Sequence, residues 1–251
     1  MQTIETMLRK APGFAQLDDA SLEYVAAAGE LQEAVSGDVL FRQGTLPESL
    51  YVLFDGRVSL TGTSADASST VIDIVEPASS FVLANVLTDE PYLMGAETVS
   101  DSLMVRIGAE PMRQVVAANP AVAMAMMRAM SAELSSMTRQ VVDLKVRIAA
   151  QRLGTYLLSQ VKEPRATVAQ FRLPVSKGLL GPWLGCRAEN LSRAFGALRG
   201  YGVETHGSRV VLHDVARLRA YAGAIEPANE PAPVEKVFGD AFRLRPPRSR
   251  T

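Results

Sequence analysis

The sequence has little chemistry for cross-linking or metal binding, since its 251 residues include one cysteine, Cys186, and two histidines, His206 and His213. A single cysteine cannot form a disulfide within the chain, and none of these residues has the spacing of a zinc site. We therefore expect no structural metal and a reducing compartment, the cytoplasm. We interpret Cys186 as a small packed side chain rather than a redox sensor.

Long apolar runs are also missing. The chain has no stretch of about eighteen apolar residues, and residues 1–5 lack a basic segment that leads into a hydrophobic one. We therefore expect neither secretion nor a membrane span. Because there is also no Ser-His-Asp set and no phosphate-binding glycine loop, we do not expect an enzyme.

The chain as a whole has almost no net charge, with a formal value of −1. Residues 1–149 hold ten Lys or Arg against nineteen Asp or Glu, whereas residues 150–225 hold eleven against four. The length allows two domains, and the second of these regions is strongly basic. A phosphate backbone would be attracted to that region.

The basic region contains a predicted helix-turn-helix. Residues 177–184 predict a short apolar helix, Gly185 suits a left-handed corner, and residues 188–200 predict a second helix. On this second helix Glu189, Ser192 and Arg193 share one face. Glu accepts from cytosine N4 and Arg binds guanine O6 and N7, so this face is suited to reading the major groove. The alternative is an ordinary surface helix with a weak Glu–Arg ion pair.

A predicted hairpin follows the second helix. Residues 201–205 and 208–212 are β-prone runs separated by His206 and Gly207, so the region is typical of a winged helix. Three basic residues are candidates for phosphate contacts, although they are equally interpreted as solvated charges: Lys177, Arg187 and Arg209. Pro182 is unfavourable inside a helix, so we expect it to kink or shorten the first helix of the motif.

The first half of the chain is rich in short β-prone segments. They cover residues 39–41, 50–54, 58–60, 71–75 and 103–107, with Gly and Pro between them. This spacing predicts an antiparallel roll or barrel. The predicted fold class is therefore α+β: an N-terminal antiparallel β-roll, a long helix and a C-terminal winged helix-turn-helix.

The long helix is predicted to begin at Asn119, a good cap, with Pro120 in its first turn. Apolar residues then recur at alternating intervals of four and three: Met130, Leu134, Met137, Val141, Leu144 and Ile148. This heptad pattern predicts a two-stranded coiled coil and hence a homodimer whose interface includes Met130 to Leu144. The alternative is a core face within one chain.

Two sequence stretches carry a family resemblance. Residues 36–44 (SGDVLFRQG) and 50–58 (LYVLFDGRV) resemble the β-roll signature of cyclic-nucleotide-binding-type domains. Joined to the winged helix, residues 12–222 resemble the CRP/FNR family of bacterial transcription regulators. Residues 81–96, 143–147 and 151–158 are similar, over a shorter length, to its NnrR/HbaR subgroup, whose members respond to nitrogen oxides or aromatic acids.

The resemblance implies double-stranded DNA, a second copy of the chain and RNA polymerase as partners, with residues 143–147 as a hinge. Glu189, Ser192 and Arg193 match the FNR-type set, which reads TTG-like and CAA-like half-sites. We expect four segments: a sensor (1–118), a dimerisation helix and hinge (119–147), a DNA-binding domain (148–225) and a flexible, proline-containing tail (226–251). The rival hypothesis is a small-molecule-binding signalling subunit that acts on a protein partner.

The sequence departs from the family at the effector site. Cyclic-nucleotide binders of the family carry Gly-Glu and then Arg-Ser, where this chain has Leu83-Ala84 and Met94-Gly95. Without the Arg, a buried phosphodiester would lose a charge-assisted contact, so cyclic AMP is not expected. An iron-sulfur cluster is not expected either, because no cysteine precedes Cys186. Haem stays open, but it would need an unusual ligand because both histidines lie in the DNA-binding region.

Apolar side chains stand where the nucleotide clamp would be. The predicted effector pocket combines residues 83–94 with methionines of the long helix: Leu83, Asn85, Leu87, Tyr92, Met94, Met126, Met127 and Met130. Asn85 and Tyr92 are its expected polar groups. The expected ligand is a haem-bound gas or a small aromatic acid. The alternative is that these side chains fill the core and that no ligand binds.

Overall fold

The computed structural model describes residues 3–163 and 165–223. Two helices, α1 (Ile4–Leu8) and α2 (Asp19–Ala27), precede a β-rich domain. Its strands are β1 (Gly29–Ala34), β2 (Val39–Phe41), β3 (Ser49–Asp55), β4 (Val58–Thr63), β5 (Ser69–Val75), β6 (Ser79–Phe81), β7 (Gly95–Thr98) and β8 (Ser102–Gly108). Helix α3 (Leu83–Thr88) lies between β6 and β7.

The strands form two antiparallel sheets, ordered β1-β8-β3-β6 and β2-β7-β4-β5. This confirms the predicted antiparallel β-roll. Three strands were not expected from the sequence: β1, β6 and β7. Strand β1 buries only its last residue, Ala34, so it lacks the alternation that reveals a strand, and β6 and β7 have only three and four residues.

Gly56 marks the tight corner between β3 and β4. Its φ is +84°, and a Cβ added there would overlap the Oγ of Ser102 and the carbonyl of Asp101. Only glycine meets both requirements, so this corner fixes how the two sheets join.

Helices α4 (Ala109–Ala118) and α5 (Pro120–Val146) follow the sheets. The Asn119 side chain caps α5 by accepting from the backbone N–H groups of Ala121 and Val122, as expected. With 27 residues, α5 is about 40 Å long. Within residues 3–163 and 165–223 no single helix is long and apolar enough to span a bilayer, although α4 and α5, bent by 117°, satisfy the length and composition test as a pair.

The C-terminal part forms a second core. It consists of α6 (Ala149–Ser159), β9 (Ala169–Arg172), α7 (Lys177–Trp183), α8 (Ala188–Leu198) with a 3-10 turn at Arg199–Tyr201, β10 (Val203–His206), β11 (Arg209–Leu212) and α9 (Val215–Ala222). The sheet order is β10-β11-β9. The predicted hairpin is present, and β9 is a further strand that pairs with its outer side. The predicted tail, 226–251, lies outside the described residues.

Candidate nucleic-acid interface

The corner of the helix-turn-helix is built by α7 and Gly185. Ser176 caps α7, its Oγ accepting from the backbone N–H of Leu179, and the helix stops one residue after Pro182. Gly185 has φ +65°, as expected for a left-handed corner, and a Cβ there would overlap Leu144 of α5. The helix thus ends one residue before the end predicted from the sequence, and the corner packs directly against the long helix.

Cys186 follows the corner and is partly buried. Its backbone N–H donates to the carbonyl of Gly181 at 2.9 Å, which closes the turn. Burial raises the pKa of the Cys186 thiol, so the reactive thiolate is disfavoured. This environment agrees with our interpretation of a packed side chain.

Helix α8 separates polar and apolar residues cleanly. Its buried face consists of Leu191, Ala194, Phe195 and Leu198. Glu189, Ser192 and Arg193 are exposed on the opposite face. Arg193 Nη2 lies 2.5 Å from Glu189 Oε1, and both side chains are 74% exposed. Such an exposed pair contributes roughly 0.3–0.5 kcal/mol, so a guanine can displace the carboxylate from Arg193 at little cost.

The basic residues around α8 are also accessible. Arg187 is the N-cap residue of α8, and Lys177 is the first residue of α7, with its Nζ 4.8 Å from the centre of the Phe195 ring. Arg209 lies on β11 and donates to Gln170 Oε1 at 2.7 Å. Arg172 on β9 stands opposite Arg209 in register. Sequence reasoning missed Arg172, because β9 is recognisable only once it pairs with β11.

The histidines lie beside the hairpin and share one carboxylate. Glu204 accepts from His213 Nε2 and from His206 Nε2, each at 2.8 Å. These two hydrogen bonds hold the pKa of Glu204 below its usual range. Within the described part of the chain, no cluster of three or more His, Cys, Asp or Glu side chains is arranged to hold a metal ion.

Comparison with known proteins identifies a known domain family in each half of the chain. Residues 31–119 match the cyclic nucleotide-binding domain, and residues 151–221 match the Crp-like helix-turn-helix domain. The chain belongs to the CRP/FNR family of transcription regulators. The resemblance drawn from the sequence is thereby confirmed, while the NnrR/HbaR subgroup stays a prediction.

Relatives in this CRP/FNR family include the transcriptional activator protein FnrA of Stutzerimonas stutzeri, 27% identical over 74% of this chain and 78% of the relative. The cAMP-activated global transcriptional regulator CRP of Pasteurella multocida is 23% identical over 78% of this chain and 95% of the relative. FixK2 of Bradyrhizobium japonicum shares the fold with a TM-score of 0.68, at 19% identity over 78% of this chain and 98% of that chain. Of these three names one includes cyclic AMP and two do not, so family membership assigns no effector.

The eight predicted pocket residues of this CRP/FNR protein do not form one cluster. Four of them belong to the core around the helices: Leu83, Leu87, Met126 and Met130. Tyr92 and Met94 belong to a separate core between the sheets. Met127 is 53% exposed, and Asn85 is partly buried. The sequence could not show this division, because it depends on which core each side chain faces after the sheets assemble.

The two expected polar groups of the pocket are already hydrogen bonded within the protein. Asn85 Nδ2 donates to the carbonyl of Pro91 at 2.9 Å. The Tyr92 hydroxyl donates to the carbonyl of Ser49 at 3.1 Å, its ring stacks on Phe41, and burial raises its pKa. Both side chains therefore hold the sensor together in this structure.

The heptad residues of α5 lie on the outside of the CRP/FNR chain. The side chains of Leu134, Val141 and Leu144 are 67%, 54% and 47% exposed, and Met137 is 37% exposed. Only Met130, at the start of the stripe, packs against the sensor core. Most of the stripe is therefore not a core face of the single chain.

Proposed function

We propose that this protein is a homodimeric, sequence-specific DNA-binding transcription regulator that responds to an effector other than a cyclic nucleotide. One observation carries the proposal: Glu189, Ser192 and Arg193 project together from α8, whose opposite face is buried in the second core. A rigid helix that presents Glu and Arg at adjacent turns matches the donors and acceptors of a G·C pair.

DNA recognition is assigned residue by residue. Arg193 binds guanine O6 and N7, Glu189 accepts from cytosine N4, and Ser192 lies between them on the same face. Lys177, Arg187 and Arg209 contact phosphates and set the register of the motif on the duplex. The operator is a two-fold palindrome with TTG-like and CAA-like halves, about one helical turn apart.

Dimerisation is assigned to the exposed stripe of α5. Apolar side chains recur there with heptad spacing, beginning at the partly buried Met130. Pairing with a second copy would remove the exposed ones from water: Leu134, Met137, Val141 and Leu144. The dimer would carry two recognition helices, one for each half-site. RNA polymerase as a partner and the cytoplasm as compartment complete the proposal, supported by family membership.

The effector assignment follows from the residues that replace the nucleotide clamp. Leu83 is 1% exposed, and Met94 packs on the core between the sheets, so neither position offers a group that neutralises a phosphate. We propose a haem-bound gas or a small aromatic acid as effector. Because the predicted pocket side chains pack against the cores, such a ligand has to separate Leu83, Leu87 and Met126 from their neighbours in order to bind.

A binding experiment tests the function directly. Fluorescence anisotropy would compare a labelled TTG/CAA palindrome with a scrambled duplex, with and without haem or an aromatic acid. We expect Arg193→Ala to lose about 5- to 150-fold in specific affinity, roughly 1–3 kcal/mol, and most of its discrimination at the guanine. Arg128→Ala is the matched control, since Arg128 lies on α5 and bonds to Gln16.

Two results would contradict the proposal. If the TTG/CAA palindrome binds no better than the scrambled duplex under any of these conditions, the proposed recognition of this operator is wrong. If Arg193→Ala keeps its preference for guanine, another residue reads that base. Absence of a Soret shift on haem titration would remove haem and leave the aromatic acid.

A further inference from the structure

The sensor and the DNA-binding domain share a core where β5 meets α7. Val71 and Ile74 of β5 lie in the same buried cluster as Leu153 and Leu180 of the DNA-binding domain. Strand β5 is the outermost strand of its sheet, so the winged helix packs against the edge of the sensor. The two domains are therefore in direct contact, in addition to being joined through α5.

A single carboxylate oxygen stands at this junction and receives three hydrogen bonds. Asp73 Oδ1 accepts from its neighbour, the backbone N–H of Ile74, at 2.8 Å. It also accepts from Gln140 Nε2 of α5 at 3.1 Å and from Trp183 Nε1 of α7 at 3.1 Å. One oxygen thus connects the sensor sheet, the long helix and the first helix of the DNA-binding motif.

We propose that Asp73 is an interdomain latch that fastens the winged helix to the sensor and so fixes where the recognition helix stands relative to α5. The two side-chain donors come from different elements, so the bonds hold only while sheet, long helix and α7 keep one mutual arrangement. Losing this carboxylate would leave a partly buried indole N–H without its acceptor, which favours separation of the domains.

Neighbouring contacts support the same arrangement. The Trp183 ring meets Tyr156 of α6 edge to face, with 5.2 Å between ring centres, and Tyr156 is only 6% exposed. Arg152 Nε donates to the carbonyl of Leu184 at 2.8 Å, which ties the end of α7 to α6. Because α6 also supports α8, the position of α7 is passed on to the recognition helix.

The latched arrangement leaves the reading face open. Glu189 and Arg193 keep 74% of their side-chain surface exposed while Trp183 is engaged with Asp73. None of the residues assigned to DNA takes part in the latch. We therefore assign the latched arrangement to the DNA-binding state, in which a fixed winged helix has less freedom to lose on binding.

Trp183 is the only tryptophan of the chain, so its fluorescence reports on the latch. In the full-length protein we expect Asp73→Ala to shift Trp183 emission to longer wavelength and to increase its quenching by acrylamide. Hydrogen exchange of residues 69–75 and 177–183 should accelerate at least fivefold. Asp73→Asn keeps an acceptor oxygen and should retain most of the protection.

Asp66→Ala is the matched control. Asp66 lies between β4 and β5 near the same strand, but among the residues that the structure describes its side chain bonds to Ser64 and Ser68 alone. The Asp66→Ala variant should leave the Trp183 emission and the hydrogen exchange of residues 69–75 and 177–183 unchanged. If Asp73→Ala fails to fold, Trp183→Phe, which keeps a ring but removes the N–H donor, should accelerate exchange in residues 69–75. Unchanged exchange in the folded variants would overturn the latch.

The consequence for DNA rests on the proposed function. Asp73→Ala should weaken specific DNA binding at least fivefold, whereas Asp66→Ala should not. If Asp73→Ala shows the accelerated exchange but binds DNA as well as or better than the wild-type protein, the latched arrangement is not the DNA-binding state. If the wild-type protein binds no DNA, the proposed function fails, and fluorescence and exchange still decide whether the latch exists.

Discussion

Several basic side chains of the sensor and of the DNA-binding domain differ in whether they have a carboxylate partner. In the sensor, Arg106 is joined to Glu30 and Glu48, and Arg113 to Asp89 and Glu110. In the DNA-binding domain, as far as the structure describes it, Lys177 and Arg187 lie in the open with no carboxylate partner. Arg106 and Arg113 join parts of the sensor to one another, whereas Lys177 and Arg187 of the winged helix remain available for an external anion.

The long helix provides the strongest test, because the exposed stripe formed by Leu134, Met137, Val141 and Leu144 is apolar. Leu134→Asp places one charge from each chain into the proposed dimer seam, and we expect the dimer dissociation constant to rise at least 100-fold, about 3 kcal/mol or more. Sedimentation velocity measures it. Ser136→Asp adds the same charge outside the seam and should leave the dimer intact. Equal effects of the two variants would refute the seam.

The next largest expected effect is on the free energy of unfolding, which should fall more for a sensor variant than for a variant of the DNA-binding domain. Tyr92→Phe removes a buried hydroxyl and leaves the Ser49 carbonyl without its donor, so we expect the free energy of unfolding to fall by about 1–3 kcal/mol. Arg193→Ala removes only an exposed pair and should change it by less than about 0.5 kcal/mol. Urea denaturation measures both values. A tyrosine variant as stable as the wild type would show that the sensor does not depend on this bond.

The smallest effect is a dependence on pH at the junction between the domains. Burial raises the pKa of Glu133, and the charge of Asp73 raises it further. The stability that Glu133 contributes is therefore fully present below its usual pKa of 4.5 and is lost as the pH rises through the raised value. Glu133→Gln should be more stable than the wild-type protein at neutral pH, and the difference should vanish in acid.

Glu110→Gln gives the opposite sign and serves as the comparison. Hydrogen bonds from Gln114 and Arg113 lower the pKa of Glu110, so its contribution is present at neutral pH and is lost as the pH falls. Thermal unfolding between pH 4 and pH 8 distinguishes the two variants. Parallel pH profiles for both would show that burial at the junction does not affect Glu133.

The DNA-binding motif was predictable because its signals are local. Gly185 marks the corner, and the period of Leu191, Phe195 and Leu198 gives the buried face of α8. Strands β1 and β9 were missed because their burial is set by partners distant in the sequence, β8 and β11. The division of the predicted pocket between two cores was hidden for the same reason. Asp73 gave no signal at all, since its donors lie 67 and 110 residues away.

The position of β5 at the rim of its sheet has a consequence for solubility. An outermost strand offers unpaired backbone groups to other chains, and Ser69–Val75 carries Val71, Ile72 and Ile74. While α7 lies against this strand, it limits access to that edge. The winged helix therefore also protects this edge from pairing with strands of other chains. Conditions that separate it from the sensor should shorten the time before the protein aggregates in concentrated solution.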